Sequence, residues 1–169
     1  MSRTVSILGV GETGGHWARD FLAAGWRVRV FDPYPEAEGL TGIRTKIERA
    51  STISSCVSKA HWVIVAVPGR LELVQTVIQR AQAEAPRDAV VAVTSLADSI
   101  DAIQSSALRP GQVVHVGRQD NGGFDMNVTQ RNSDDFRQEA VLALSEISAV
   151  RTIGADYVPP VIRDDAASA

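Results

Sequence analysis

Short runs of β-branched and other apolar residues alternate along this chain with longer stretches in which apolar positions recur every three or four residues. The short runs predict strands at 5–8, 27–31, 62–67, 89–94 and 112–116, with a further pair at 124–128 and 150–153. The longer stretches predict helices at about 14–24, 71–84, 99–107 and 134–148, and a weaker one at 54–59. The segment from Asp134 carries the fullest set of helix signals. Ser133 is placed to cap it, Asp134 and Asp135 suit its positive end, and Phe136, Ala140, Val141, Leu144 and Ile147 fall on one face. Strands alternating with helices predict an α/β fold with a doubly wound, mostly parallel sheet and helices on both faces. We expect one domain over residues 1–156 and an extended tail over 157–169, where Pro159-Pro160 is followed by small and acidic residues.

Composition narrows the function more than the fold. The 169 residues are 44% apolar and 22% charged, so the chain can build a core. Its net charge of −3 and lack of any basic run argue against nucleic acid as a partner. No apolar run approaches the roughly 18 residues of a membrane span, and the first residues lack signal-peptide architecture, so the expected location is the cytoplasm. Cys56 is the lone cysteine, and His16, His61 and His115 lie far apart, so no metal site is expected.

The strongest local signal is Gly9-Val10-Gly11-Glu12-Thr13-Gly14, which follows an apolar strand and opens a helix. In that context Gly9 permits a tight turn, Gly11 admits a pyrophosphate close to the backbone, and Gly14 lets the helix pack on the strand. Unpaired amides at the helix start then face the phosphates. The next strand ends in Asp32, 18 residues after Gly14, where a carboxylate can hold the adenosine ribose hydroxyls. No arginine follows Asp32 directly, the next residues being Pro33-Tyr34-Pro35-Glu36, so NAD is expected rather than NADP. A flavin site, an S-adenosylmethionine site or a turn without ligand can start in the same way. Glu12 is the discordant residue, since it brings negative charge to the phosphate side.

Four stretches together resemble the NAD-binding domain of the 3-hydroxyacyl-CoA dehydrogenase family, and especially its L-carnitine dehydrogenase branch. They are Gly14-Gly15-His16-Trp17-Ala18-Arg19-Asp20-Phe21-Leu22, the run from Gly25-Trp26 to Asp32-Pro33-Tyr34-Pro35-Glu36-Ala37, Ala60-His61-Trp62-Val63-Ile64-Val65-Ala66-Val67-Pro68, and Thr94-Ser95-Leu96. The resemblance implies a Rossmann domain with its cofactor at the carboxyl ends of the strands. It implies that Gly9, Gly11, Glu12, Thr13, Gly14, Asp32, Ala66, Val67 and Pro68 surround the cofactor. It also implies that Ser95 hydrogen-bonds the substrate's hydroxyl or ketone oxygen, and that His115 lies near the place of the family's base.

Departures from the family pattern are equally specific. Gly69 and Val74 stand where the family carries Glu and Lys, and Val93 stands where it carries Asn. The family pairs its base with a Glu about a dozen residues on; here that place is Asn127, which can hold a neutral imidazole but cannot stabilise imidazolium by charge. Only 29 residues separate Asp32 from Trp62, too few for the family's helical hairpin, and the chain ends where the family's helical domain begins. A CoA thioester is therefore disfavoured. The expectation is an NAD-dependent oxidoreductase acting on a small hydroxy or keto acid or acyl substrate, its site completed by a second copy or a partner chain. The alternative is a non-catalytic NAD(H)-binding or interaction module. Missing helical cover further predicts an exposed apolar face and at least a dimer. Trp17, Trp26 and Trp62 are expected in core or half-buried packing positions, Cys56 as a small buried residue, and 118–123 as a surface loop or lid.

Overall fold

The computed structural model describes residues 3–34, 38–95 and 99–154; the expected tail at 157–169 lies outside the described residues, as do 35–37 and Leu96. Among the described residues eight strands form one sheet: β1 (Thr4–Leu8), β2 (Arg27–Phe31), β3 (Glu48–Arg49), β4 (Trp62–Val65), β5 (Val90–Val93), β6 (Val113–Arg118), β7 (Phe124–Asn127) and β8 (Val150–Ile153). Their spatial order is β3-β2-β1-β4-β5-β6-β7-β8. All neighbours run parallel except β6 and β7, which are antiparallel. This is the expected Rossmann-like α/β sheet. The order reverses between β1 and β4, and such a switch point opens a crevice at the carboxyl ends of the strands.

Five helices among the described residues cover the sheet: α1 (Glu12–Ala23), α2 (Ile53–Val57), α3 (Leu71–Glu84), α4 (Ile100–Ser105) and α5 (Asp134–Ser145). Strand alternation sends side chains into two separate cores. Val5, Ile7, Ile64, Ala92, Val114 and Val116 pack with Trp17, Phe21, Phe136, Ala140 and Leu144 of α1 and α5. Leu8, Val63, Val65, Val91, Val93 and Val113 pack with Cys56, Val74, Ile78, Ala81 and Ile103 of α2, α3 and α4. Central strands such as β4 and β5 are buried throughout, which explains their unbroken apolar runs.

The three tryptophans are buried as expected. Trp17 stacks on Phe124 with ring centres 5.1 Å apart, and Phe21 meets Trp26 edge-on at 4.9 Å. This cluster ties α1 to β2 on one side and to β7 on the other. Ser133 caps α5 through the Phe136 amide at 3.1 Å. One strand, β3, escapes the sequence pattern because it is two charged residues, Glu48 and Arg49, on the edge of the sheet. The exposed apolar face expected at the carboxyl side of the sheet is not found among the described residues. Among the described residues the exposed large apolar side chains are Tyr34, Leu108 and Leu142, scattered over three parts of the fold. The partly exposed face of β6, β7 and β8 instead carries His115, Asp125, Asn127 and Arg151, polar groups that water can solvate.

Candidate functional site

Backbone geometry at the β1–α1 turn leaves little choice of residue. Gly9 has φ +97°, and a Cβ there would meet the Ala66 carbonyl oxygen at 2.6 Å. A Cβ on Gly14 would lie 1.9 Å from the Gly9 carbonyl oxygen, so Gly14 sits behind the turn and lets α1 approach β1. Gly11 is different. Its φ of −72° suits any residue, and a Cβ there would meet no protein atom within 4 Å. It faces a cavity of about 1180 Å³ at the switch point. Gly11 is also the N-cap of α1, and no side chain caps that helix, so its first-turn amides lack intrahelical partners. A close-approaching anionic group such as a pyrophosphate fits this cradle.

Asp32 ends β2 on the wall of the same cavity. Its Oδ2 accepts from the Val10 amide at 2.8 Å and its Oδ1 from the Tyr34 amide at 2.8 Å. The carboxylate therefore pins the glycine turn to β2, a second task beside the ribose contact expected from sequence. Each carboxylate oxygen has further acceptor capacity for a ribose hydroxyl.

Of the residues expected around a cofactor, Gly9, Gly11, Glu12, Thr13, Asp32, Ala66, Val67 and Pro68 line the cavity, and Gly14 does not. Glu12 is exposed at its rim, so water screens its charge from the phosphate side. Ser95 lines the cavity too. His115 does not, yet the fold brings it to the same end of the sheet: it pairs in register with Val93, two residues before Ser95. His115 is half-buried, and burial lowers its pKa below the ordinary 6.5, partly offset by the nearby Asp125 carboxylate. The Asn127 side chain meets it, with Nδ2 2.8 Å from His115 Nδ1. Asp125 is itself held below the usual carboxylate range by hydrogen bonds from Arg151, against a smaller opposing effect of burial.

The other two histidines and the cysteine lie outside the cavity. His16 is exposed and outside the cavity. His61 accepts from the Thr4 amide through Nδ1 at 3.0 Å, anchoring the start of β1. Cys56 is buried, which raises its pKa to about 11, so it is a packing residue and not a nucleophile. Among the described residues no group of histidine, cysteine or carboxylate side chains could hold a metal.

Sequence reasoning missed two parts of the site. Ser51, Thr52, Ile53 and Ser54 form a wall beside Asp32, and Arg70 lines the cavity from the start of α3. Their only sequence signal is Thr52, whose side chain caps α2 by accepting from the Ser55 amide at 3.0 Å. The second is a glycine contact. A Cβ on Gly15 would lie 2.0 Å from the Gly39 carbonyl oxygen, while the Arg19 side chain donates to that same oxygen at 2.7 Å. The 3-10 turn at Glu38–Leu40 is thereby locked onto α1.

Comparison with known proteins agrees with this geometry. Residues 4–115 match the family model described as the NAD binding domain of 6-phosphogluconate dehydrogenase, and the chain belongs to that family. An L-carnitine dehydrogenase/betainyl-CoA thioesterase of Ruegeria pomeroyi is 34% identical over 130 residues, covering 66% of this chain and 27% of the relative. An L-carnitine dehydrogenase of Nocardiopsis dassonvillei is 29% identical over 131 residues, covering 66% and 40%. The chain thus spans between about a quarter and two-fifths of the length of these relatives. In fold it is similar to a 3-hydroxyacyl-CoA dehydrogenase from Archaeoglobus fulgidus, with a TM-score of 0.83, 19% identity, and coverage of 98% of this chain and 60% of that one. The resemblance seen in sequence is borne out: this is an NAD-binding Rossmann domain whose relatives are named dehydrogenases.

Proposed function

We propose that the domain spans residues 1–156 and binds NAD(H) in the switch-point cavity as part of an oxidoreductase acting on a small hydroxy or keto acid or acyl substrate. The carrying observation is Gly11, a glycine that neither backbone strain nor any protein neighbour requires, facing an open cradle at an uncapped helix start. In this reading the α1 amides and Gly11 hold the pyrophosphate, Asp32 takes the ribose hydroxyls, and Ala66, Val67 and Pro68 flank the nicotinamide. Glu12 and Thr13 form the rim and Gly14 the packing behind it. When bound, NAD supplies a carbon that accepts or gives hydride. Ser95 orients the substrate oxygen and His115 serves its proton. The relatives' names support a hydroxy-acid or acyl substrate, and a second copy or a partner chain completes the site. No helix among the described residues is long and apolar enough to cross a membrane, which fits a cytoplasmic location.

A second reading is favoured by specific residues. Val74 and Val93 are buried in the apolar core, so no polar group can act from those positions, and His115 faces a neutral amide. These features suit an NAD(H)-binding module without catalysis. Titration with NADH, followed by cofactor fluorescence with NADPH in parallel, tests the shared premise. Saturable binding at micromolar NADH, weaker for NADPH and lost in Asp32→Ala, is the expected result. Binding that is absent at millimolar NADH, or unchanged in Asp32→Ala, sinks it. Turnover of hydroxy acids that disappears in Ser95→Ala and His115→Gln then separates the enzyme from the module.

A further inference from the structure

Val10, in the glycine turn, is held at both of its peptide groups by the segment that follows β2. Its amide donates to Asp32 Oδ2 at 2.8 Å, and its carbonyl accepts from the Gly39 amide at 3.1 Å. Gly39 comes this close because it lacks a side chain. A Cβ there would stand 2.0 Å from the Gly11 carbonyl oxygen and 2.4 Å from that of Val10. Gly39 is fixed in turn by α1. A Cβ on Gly15 would lie 2.0 Å from the Gly39 carbonyl oxygen, so the helix lies directly against the 38–40 turn. The half-buried Arg19, one turn further along α1, donates from Nη1 to that oxygen at 2.7 Å and from Nη2 to the Thr41 carbonyl. Leu40, next to Gly39, is fully buried in the core.

The Val10 carbonyl and the Gly11 N–H belong to one peptide, and a planar trans peptide points these two groups in opposite directions. The bond from Gly39 therefore turns the Gly11 N–H away from the 38–40 turn. No described residue accepts from that N–H. Gly11 borders the cavity, and a Cβ there would meet no protein atom within 4 Å. We propose that Gly39 and Arg19 are positioning residues for the dinucleotide: through the Val10 carbonyl they hold the Gly11 N–H in line with a pyrophosphate oxygen. This rests on the reading that NAD(H) occupies the cavity. Direction matters because a hydrogen bond weakens steeply as its donor angle closes. Asp32 fixes the preceding peptide of Val10 in the same way. One residue of the turn is thus set by both the carboxylate expected at the ribose and the turn that aims the phosphate donor.

Amide NMR of the labelled full chain, titrated with ADP-ribose and with adenosine, tests the proposal, because only the first ligand carries a pyrophosphate. In wild type, ADP-ribose should move the Gly11 amide proton downfield, the mark of a hydrogen bond to phosphate, and NADH should compete with it. Arg19→Met removes both donors to the turn. It should weaken ADP-ribose about tenfold, the scale of one hydrogen bond to a charged group, leave adenosine unchanged and shrink the Gly11 shift at saturation. Arg19→Lys keeps the charge but not the fork of two donors, so its loss should be intermediate. Gly39→Ala should show a larger loss of the same kind, and the Arg19 variants carry the test if it fails to fold. A role in stability alone would lower both ligands together. An unchanged ratio of the two affinities in Arg19→Met, full recovery by lysine, or a Gly11 signal that ADP-ribose does not move overturns the proposal, and wild-type NADH binding then leaves the cofactor reading standing. Where adenosine binds too weakly to titrate, the Gly11 shift decides. A wild type that binds neither ADP-ribose nor NADH overturns both.

Discussion

At the β1–α1–β2 end of the sheet the site is made by missing side chains, whereas at the β6–β7–β8 end it is made by side chains that meet across strands. Gly9, Gly11 and Gly14 work within a six-residue turn, and each is fixed by what a single Cβ would strike or fill. His115, Asn127, Asp125 and Arg151 come from three strands and depend on register and on one another's charge. The contrast teaches where each half can fail. Backbone crowding at Gly9 and Gly14 has no flexible side chain to absorb it, so those two positions tolerate almost no substitution. The second half is polar and partly solvated, so changes there alter protonation more than folding.

The sharpest way to break the comparison is to add one methyl group at two neighbouring glycines. Gly14→Ala drives a Cβ to 1.9 Å from a backbone oxygen, and overpacking against backbone should cost about 3 kcal/mol. Urea unfolding would show it, and an unchanged midpoint would mean that α1 moves freely off β1. Gly11→Ala meets no protein atom, so its unfolding midpoint should match wild type. Its NADH affinity should nonetheless fall by about tenfold or more, roughly 1.4 kcal/mol. An alanine at Gly11 that binds NADH normally would show that no ligand approaches there.

The smallest expected effect probes the other end. Folding lowers the pKa of His115, so below 6.5 the unfolded chain takes up a proton that the folded chain refuses. The stabilisation is therefore complete above 6.5 and is lost as the pH falls from that value toward the folded pKa. Comparing the pH dependence of unfolding in wild type and His115→Gln isolates this slope. Equal slopes would mean that the ring is solvated in the folded state.

Much of the first half could be read directly from residue order. The glycine turn, the strand ending at Asp32 and the Ala66-Val67-Pro68 turn are local, and their chemistry follows from spacing within single supersecondary units. Asn127 was reached through the family resemblance and not through residue order, and the antiparallel pairing of β6 and β7 sets it opposite His115. The two-residue β3 was invisible because an edge strand of Glu48 and Arg49 has no apolar pattern. The Gly15–Gly39 contact, the Ser51–Ser54 wall and Arg70 were equally hidden, since each joins segments with no shared periodicity.

By itself the sequence determined the alternation of strands and helices, the parallel sheet and the nucleotide turn, because hydrophobic period and glycine sterics act over a few residues. Tertiary structure alone decided that Asp32 also pins the turn through the Val10 amide, and that Arg151 on β8 takes up the charge of Asp125. Hydrogen bonds and charges act between atoms a few ångströms apart in space, whatever their separation along the chain, and only the folded sheet sets those distances.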